Sequence, residues 1–217
     1  TRLPDVRARL EILSNSIEQL TRAGYVYIGM DHFARPDDAM AIAANRGDLE
    51  RNFQGYTVPA GAGDAGATVR ASRDSRQDCD LLAFGVSAIG DLRNAYVQNT
   101  RHIKTYESEV LAGRLPVDRG LVLNEDDHAR RRIIMRLICR FELLFDEEFR
   151  SRYAPEFEAL AGFQAEGLLE IQAPADGRPG ALSVTDSGKF VIRNICQVFD
   201  AYTAELAARG QPFSKSV

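Results

Sequence analysis

The chain has 217 residues, 45% of them hydrophobic and 27% charged, with 27 basic against 31 acidic side chains and a formal net charge of -4. That is the balance of a globular protein long enough for one or two cores, without the global basic excess of a nucleic-acid binder. No apolar run nears the ~20 residues of a membrane-spanning helix, and Cys79, Cys139 and Cys196 are odd in number and too widely spaced for a disulfide framework or a closed zinc site.

Residues 6–22 place Val6, Leu10, Leu13, Ile17 and Leu20 at alternating steps of four and three, which predicts an amphipathic helix. Gly24 suits a left-handed stop after it. Residues 25–30 (YVYIGM) read as a short buried strand, and a helix, a glycine turn and a strand form one step of an α/β domain. Asp31, His32 and Phe33 follow that strand, where active sites of parallel α/β folds gather. A second helix opens at Pro36, Asp37 and Asp38 and runs to about Arg46, with its acidic residues toward the positive end of the helix dipole. Residues 51–57 (RNFQGYT) read as an ordered loop, 58–78 as a mobile surface insertion rich in Gly, Ala, Ser, Arg and Asp, and 81–89 (LLAFGVSAI) as a second apolar strand. A polar helix is expected over 99–111.

The character changes after Pro116. A long helix is expected from 125 to about 144, with Asn124 as its N-cap and Asp127 three residues on, and with Ile133, Ile134, Leu137, Ile138 and Phe141 as its buried stripe. Another helix is expected over 154–166, stopped by Gly167. Residues 168–172 and 181–184 then pair as a hairpin, and Thr185 caps a last helix reaching about Ala208. Helices, a hairpin and a helix in that order resemble a winged-helix bundle. The expected fold class is therefore α/β plus a mainly helical domain, with one domain over 1–111 (carrying the insertion) and a second over 112–217. Residues 1–5 read as neither a signal nor a transit peptide, so a cytoplasmic protein is expected, and a start without Met reads as a fragment.

Several peptides carry a family likeness. They are GMDHFA (29–34), RNFQGYT (51–57), GVSAIG (85–90), VTDSGK (184–189) and RNIC (193–196), followed by Phe199 and Asp200. In that order they resemble the oxygen-independent coproporphyrinogen III oxidases (dehydrogenases), radical S-adenosylmethionine (SAM) enzymes, over nearly the whole chain except 58–78. The likeness implies the C-terminal part of a radical-SAM partial (β/α) barrel followed by a winged-helix-like domain. It implies an oxidoreductase of haem and porphyrin synthesis that turns two propionates of coproporphyrinogen III into vinyls, giving protoporphyrinogen IX. In that chemistry a 5'-deoxyadenosyl radical takes a hydrogen from a propionate side chain, and CO2 and one electron leave.

The family binds two SAM molecules and a [4Fe-4S] cluster held by a CxxxCxxC loop. Cysteine thiolates are the ligands such clusters need, and this sequence has no such loop. The likeness therefore implies that the cluster belongs to a missing N-terminal part, that this piece alone is inactive, and that it carries no metal ligand and no catalytic residue of its own. Phe53 and Gln54 match positions near SAM, and Ile89 matches a SAM-contacting position, where an aliphatic side chain can pack on adenine and an amide can meet a polar group. Asp31 and His32 are candidates for lining the substrate site. Expected partners are coproporphyrinogen III and an electron donor, with no nucleic acid and no membrane, for a protein that is monomeric at full length.

Blander readings stand beside these. Taken alone, His32 is a structural imidazole, Asp31 a cap or an ion-paired carboxylate, and Phe53 and Ile89 core residues. The run Arg130, Arg131 and Arg132 is a solvated face, or a partner for propionates. A haem chaperone of the same superfamily is a competing function, but it is expected to carry a different, Tyr/Trp-containing peptide in place of NFQGY (52–56). A winged-helix nucleic-acid module is a third, against which the acidic balance argues.

Overall fold

The computed structural model describes residues 4–58 and 80–203. The insertion expected at 58–78 lies, beyond Val58, outside the described residues, as does Cys79. Two compact units divide the chain. One joins residues 1–49 to 129–217, and the other is residues 50–128. The boundary expected between residues 111 and 112 falls inside the second unit.

The first unit opens with α1 (Val6–Arg22), whose first turn is capped by the Asp5 carboxylate accepting from the Ala8 N–H at 2.9 Å. The expected strand follows as β1 (Val26–Gly29), but it turns back at once. Met30, at φ 57°, and Asp31 make the turn, and β2 (His32–Ala34) pairs antiparallel with β1. His32 therefore begins a second strand rather than ending the first. Helix α2 (Ala39–Arg46) runs from the Asp38 cap to Gly47 at φ 73°, where the left-handed backbone suits glycine. The Arg140 guanidinium lies against Gly47 and donates to its carbonyl.

The same unit resumes at Ala129, within α4 (Glu125–Arg140), a helix four residues shorter than expected. Phe141, at φ 58°, ends it, and β8 (Glu142–Phe145) follows. Two helices, α5 (Glu147–Arg152) and α6 (Ala154–Ala165), lead to the expected hairpin, β9 (Leu169–Gln172) and β10 (Gly180–Val184). The three strands form one antiparallel sheet in the order β8-β10-β9. Thr185 caps as expected, its Oγ1 accepting from the Gly188 N–H at 3.1 Å. Within the described residues the expected final helix is broken into two short ones, α7 (Asp186–Lys189) and α8 (Ile192–Gln197), and its expected end near Ala208 lies outside those residues. The reason is local. Gly188 packs so tightly on Leu168 that a Cβ there would lie 1.8 Å from its carbonyl oxygen. The chain beyond it bends, and Phe190, Val191 and Asn194 each donate to the carbonyl three residues back. Leu137, Leu160, Leu169, Leu182, Ile192, Ile195 and Phe199 are essentially fully buried and form the core of this unit.

Among its described residues, the second unit holds antiparallel strands, one helix of its own and the first turn of α4. Residues 51–57, expected as an ordered loop, lie in a tight hairpin of β3 (Glu50–Asn52) and β4 (Gly55–Thr57). A three-stranded sheet follows in the order β5-β6-β7, from β5 (Ile89–Leu92), β6 (Ala95–Asn99) and β7 (Val117–Val122), with α3 (Ile103–Leu111) between the last two. Residues 81–88 are not the expected strand. Only Leu81 makes an isolated bridge, to Asp91, and the run breaks at Gly85 (φ 102°) and Ser87 (φ 57°). Leu82 and Phe84 are exposed, so the apolar composition that suggested a buried strand has no sheet to cover it.

Every strand pair among the described residues is antiparallel. The mixture of helices and sheets is as expected, but no parallel pairing of the kind a (β/α) barrel uses occurs among them.

Candidate functional site

The candidate residues fall into two groups, one in each unit. Asp31 and His32 sit at the tip of the β1–β2 hairpin. His32 Nδ1 lies 2.8 Å from Asp31 Oδ1, with the carboxylate largely exposed and the imidazole about one third exposed. Beside them, the Tyr27 hydroxyl donates to the Met30 carbonyl at 3.1 Å, and the Tyr27 and Phe33 rings pack at 5.3 Å. Burial pushes the Tyr27 phenol up to about 12, and the Asp31 charge adds to it. A groove of about 490 Å³ opens beside the tip, lined by Asp31 and Phe33 together with Arg9, Ile12, Leu13 and Leu20 of α1.

Phe53, Gln54 and Ile89 all lie in the second unit. Phe53 and Gln54 are the two turn residues of the β3–β4 hairpin, fixed by Asn52, whose Oδ1 accepts from the Gln54 N–H at 2.8 Å. Arg51 stands over the Tyr56 ring at 4.7 Å and braces the base of the hairpin. The Phe53 ring is 51% exposed, and it meets Tyr96 edge-on with centroids 5.0 Å apart. Gln54 is exposed as well.

Tyr96 ties that turn to Ile89. In β5 and β6, Asp91 pairs with Tyr96 and Ile89 with Gln98. Residues directly opposite, and residues two apart on a strand, share a face. Ile89, Asp91, Tyr96 and Gln98 therefore stand on one face of the sheet, and β7 adds Arg119 and Leu121 to it through the pairs Gln98–Arg119 and Tyr96–Leu121. The hairpin turn bearing Phe53 packs on this same face.

The peptide 85–90 is positioned from behind by polar side chains. The buried Asn99 donates its amide to the carbonyls of Ala83 (3.2 Å) and Gly85 (3.0 Å), and the Tyr106 hydroxyl accepts from the Gly85 N–H at 2.9 Å. Tyr96 and Asn99 are the residues that reasoning from the sequence missed. The alternating peptide AYVQN (95–99) held the signal, since it has the period of a strand.

No three His, Cys, Asp or Glu side chains converge to hold a metal ion among the described residues, where Cys139 and Cys196 are both buried. A cluster ligated by three thiolates does not fit these residues. The sheet face carries the half-exposed Phe53 ring and the aliphatic Ile89, and the exposed Gln54 amide lies next to Phe53 on the hairpin turn. None of the helices among the described residues is long and apolar enough to cross a membrane.

No protein-family model matches the chain. Among curated proteins, it is 39% identical over 222 residues to the oxygen-independent coproporphyrinogen III oxidase of Pseudomonas aeruginosa, covering 99% of this chain and 43% of that protein. It is 42% identical over 225 residues to the protein of the same name from Thermostichus vulcanus, covering all of this chain and 62% of that one. Among solved structures, it superposes on the Escherichia coli coproporphyrinogen III oxidase, a radical SAM enzyme, with a TM-score of 0.73 at 38% identity, covering 92% of this chain and 42% of that one. The chain thus spans less than two thirds of the length of these relatives.

Proposed function

We propose that this chain, homologous along its whole length to part of the oxygen-independent coproporphyrinogen III oxidases, is the C-terminal portion of such an enzyme. The complete enzyme oxidatively decarboxylates two propionates of coproporphyrinogen III to vinyl groups. Each conversion removes CO2, one hydrogen atom and one electron from the side chain, so an electron acceptor is part of the reaction. When bound together, SAM and the [4Fe-4S] cluster supply the radical that removes the hydrogen, and the cluster belongs to the portion of the enzyme outside this chain.

The part assigned to this chain is a binding wall. Phe53 presents an aromatic face to a planar or sulfonium-bearing group, Gln54 offers one amide donor and one acceptor, and Ile89 packs against an apolar surface. Asp31 and His32 are proposed to line the substrate side. In fold terms, residues 1–111 are read as the late part of a (β/α) barrel whose parallel neighbours lie outside this chain. Residues 112–217 are read as a winged-helix-like domain, supported by the order helix, strand, helix, helix, strand, strand from α4 to β10 with sheet order β8-β10-β9.

The observation that carries the functional reading is the convergence of Phe53, by way of Tyr96, and Ile89 on one sheet face, in a chain whose relatives share one name. The test uses the full-length protein containing this chain, loaded with its cluster. It is expected to convert coproporphyrinogen III without oxygen when given SAM and a reductant, and Gln54→Ala is expected to weaken SAM binding. Absence of product from the loaded protein removes the oxidase reading; unchanged SAM affinity in Gln54→Ala removes Gln54 from the site.

A further inference from the structure

Beside the strands that carry Ile89 and Tyr96 there is a second feature, which Phe53, Gln54 and Ile89 do not use. A cavity of about 140 Å³ is lined by Ser87, Gln98, Asn99, Arg101, Asp118 and Arg119, all in the second unit. Its polar walls are ordered. The Gln98 amide donates to the Ser87 carbonyl at 3.0 Å, and its oxygen accepts from Arg119 Nε at 2.7 Å. That chain of hydrogen bonds holds the Arg119 guanidinium by one edge and leaves its terminal nitrogens for a ligand. Among the described residues no partner is recorded for Arg101 or for Asp118. Ser87 adopts φ 57°, a backbone conformation uncommon for a residue with a side chain. Strained positions of this kind persist where their surroundings hold them, and they cluster at ligand sites.

We infer that this cavity binds a carboxylate group, held by Arg119 and Arg101. The inference rests on the reading given under Proposed function and deepens it. Guanidinium is the side-chain group whose planar fork matches a carboxylate, and a guanidinium oriented by a neighbouring amide loses less freedom on binding. The volume suits a small charged group and not a macrocycle. Asp118 in the wall opposes a lone anion but accepts an ammonium, so an α-amino carboxylate satisfies all three charges. Two sources of carboxylate belong to the reaction: a propionate of the tetrapyrrole and the methionyl end of SAM.

The experiment measures equilibrium binding to the full-length protein containing this chain, with wild type compared with Arg119→Gln, Arg119→Lys and Arg101→Gln. The probes are SAM, 5'-methylthioadenosine (which lacks the amino carboxylate), coproporphyrin III and its tetramethyl ester. If the methionyl end occupies the cavity, Arg119→Gln is expected to raise the Kd of SAM about tenfold and to leave methylthioadenosine unchanged; a tenfold change corresponds to loss of one charge-assisted hydrogen bond. If a propionate occupies it, the loss falls on coproporphyrin III and spares the tetraester. Arg119→Lys, which keeps the charge without the fork, is expected to recover part of the affinity, and the thermal midpoints of the variants should match wild type because Arg119 is exposed. If the three variants bind every probe as wild type does while Gln54→Ala still weakens SAM, the cavity inference falls and the functional reading stands. If wild type binds neither SAM nor coproporphyrin III, both fall.

Discussion

Tyr27 shows how a single side chain reports the folding of the hairpin tip. Its phenol is half-buried against Phe33 and is pushed up to about 12 from the usual 10.0, mainly by burial. The folded state therefore holds the proton more tightly than the unfolded state. Between pH 10.0 and about 12 the unfolded chain ionises Tyr27 and the folded chain does not, so the stability tied to this group is complete below pH 10.0 and is lost as pH rises through that window. Replacing Tyr27 with Phe is expected to flatten the fall in stability above pH 10, measured by denaturant unfolding at stepped pH. An unchanged slope would show that the hydroxyl is not desolvated by the fold. Other single residues were only partly legible in the sequence. Arg130 belonged to a basic run that read as a solvated face, but its Nη1 donates to Glu156 Oε1 at 2.7 Å and to the Phe199 carbonyl at 3.2 Å. Nothing in a run of three arginines indicates that one of them reaches a carboxylate 26 residues away. The exposed Phe53 was equally open in the sequence, because an aromatic side chain between polar residues suits a core as well as a site.

At the scale of elements, the start of a helix was more legible than its end. Asn124 and Asp127 form a reciprocal box: the Asp127 N–H donates to Asn124 Oδ1 and the Asn124 N–H to Asp127 Oδ2, both at 2.9 Å. The spacing of two side chains specifies that geometry, so the sequence was sufficient. Asn124→Ala removes one of these bonds and leaves a first-turn N–H unpaired, which is expected to cost about 1 kcal/mol. Chemical denaturation of the two proteins measures it, and Asn124→Ser, which keeps an accepting oxygen, should recover most of the loss. The end of the same helix was misread because the stop is Phe141 at φ 58°, a residue with no helix-ending preference that is forced there by the start of β8. The strands follow the same rule. The hairpin β9–β10 was legible from two apolar runs either side of a Pro- and Gly-containing loop. The strand expected over 81–89 failed because composition carries no information on whether a neighbour covers it, and here the covered strands β5 and β6 begin only at Ile89. The hairpin β3–β4 was hidden in a polar peptide whose pairing rests on a two-residue turn braced by Asn52.

At the scale of the whole molecule, the sequence indicated the relatives but not the arrangement. Motif order is a one-dimensional property, whereas a compact unit that joins residues 1–49 to 129–217 depends on contacts between distant segments. If the iron–sulfur cluster belongs to the rest of the enzyme, as proposed above, the chain by itself should hold none. Its full sequence holds three cysteines, and two of them are buried, Cys139 at 6% and Cys196 at 5% exposure, with Cys196 Sγ donating to the Ile134 carbonyl at 3.7 Å. A thiol in apolar surroundings resists ionisation, and only the thiolate binds iron well. Bringing both sulfurs to one cluster would withdraw them from the core, against the apolar burial that holds Leu137, Ile192 and Ile195 in place. The 217-residue chain, incubated with ferrous iron and sulfide under nitrogen and then desalted, is therefore expected to retain no stoichiometric iron and to show no sulfur-to-iron charge-transfer absorption. The full-length protein treated identically is expected to show both. Retention of a cluster by the 217-residue chain would mean that its own cysteines are ligands, and it would overturn the assignment of the metal-binding half to the remainder of the enzyme.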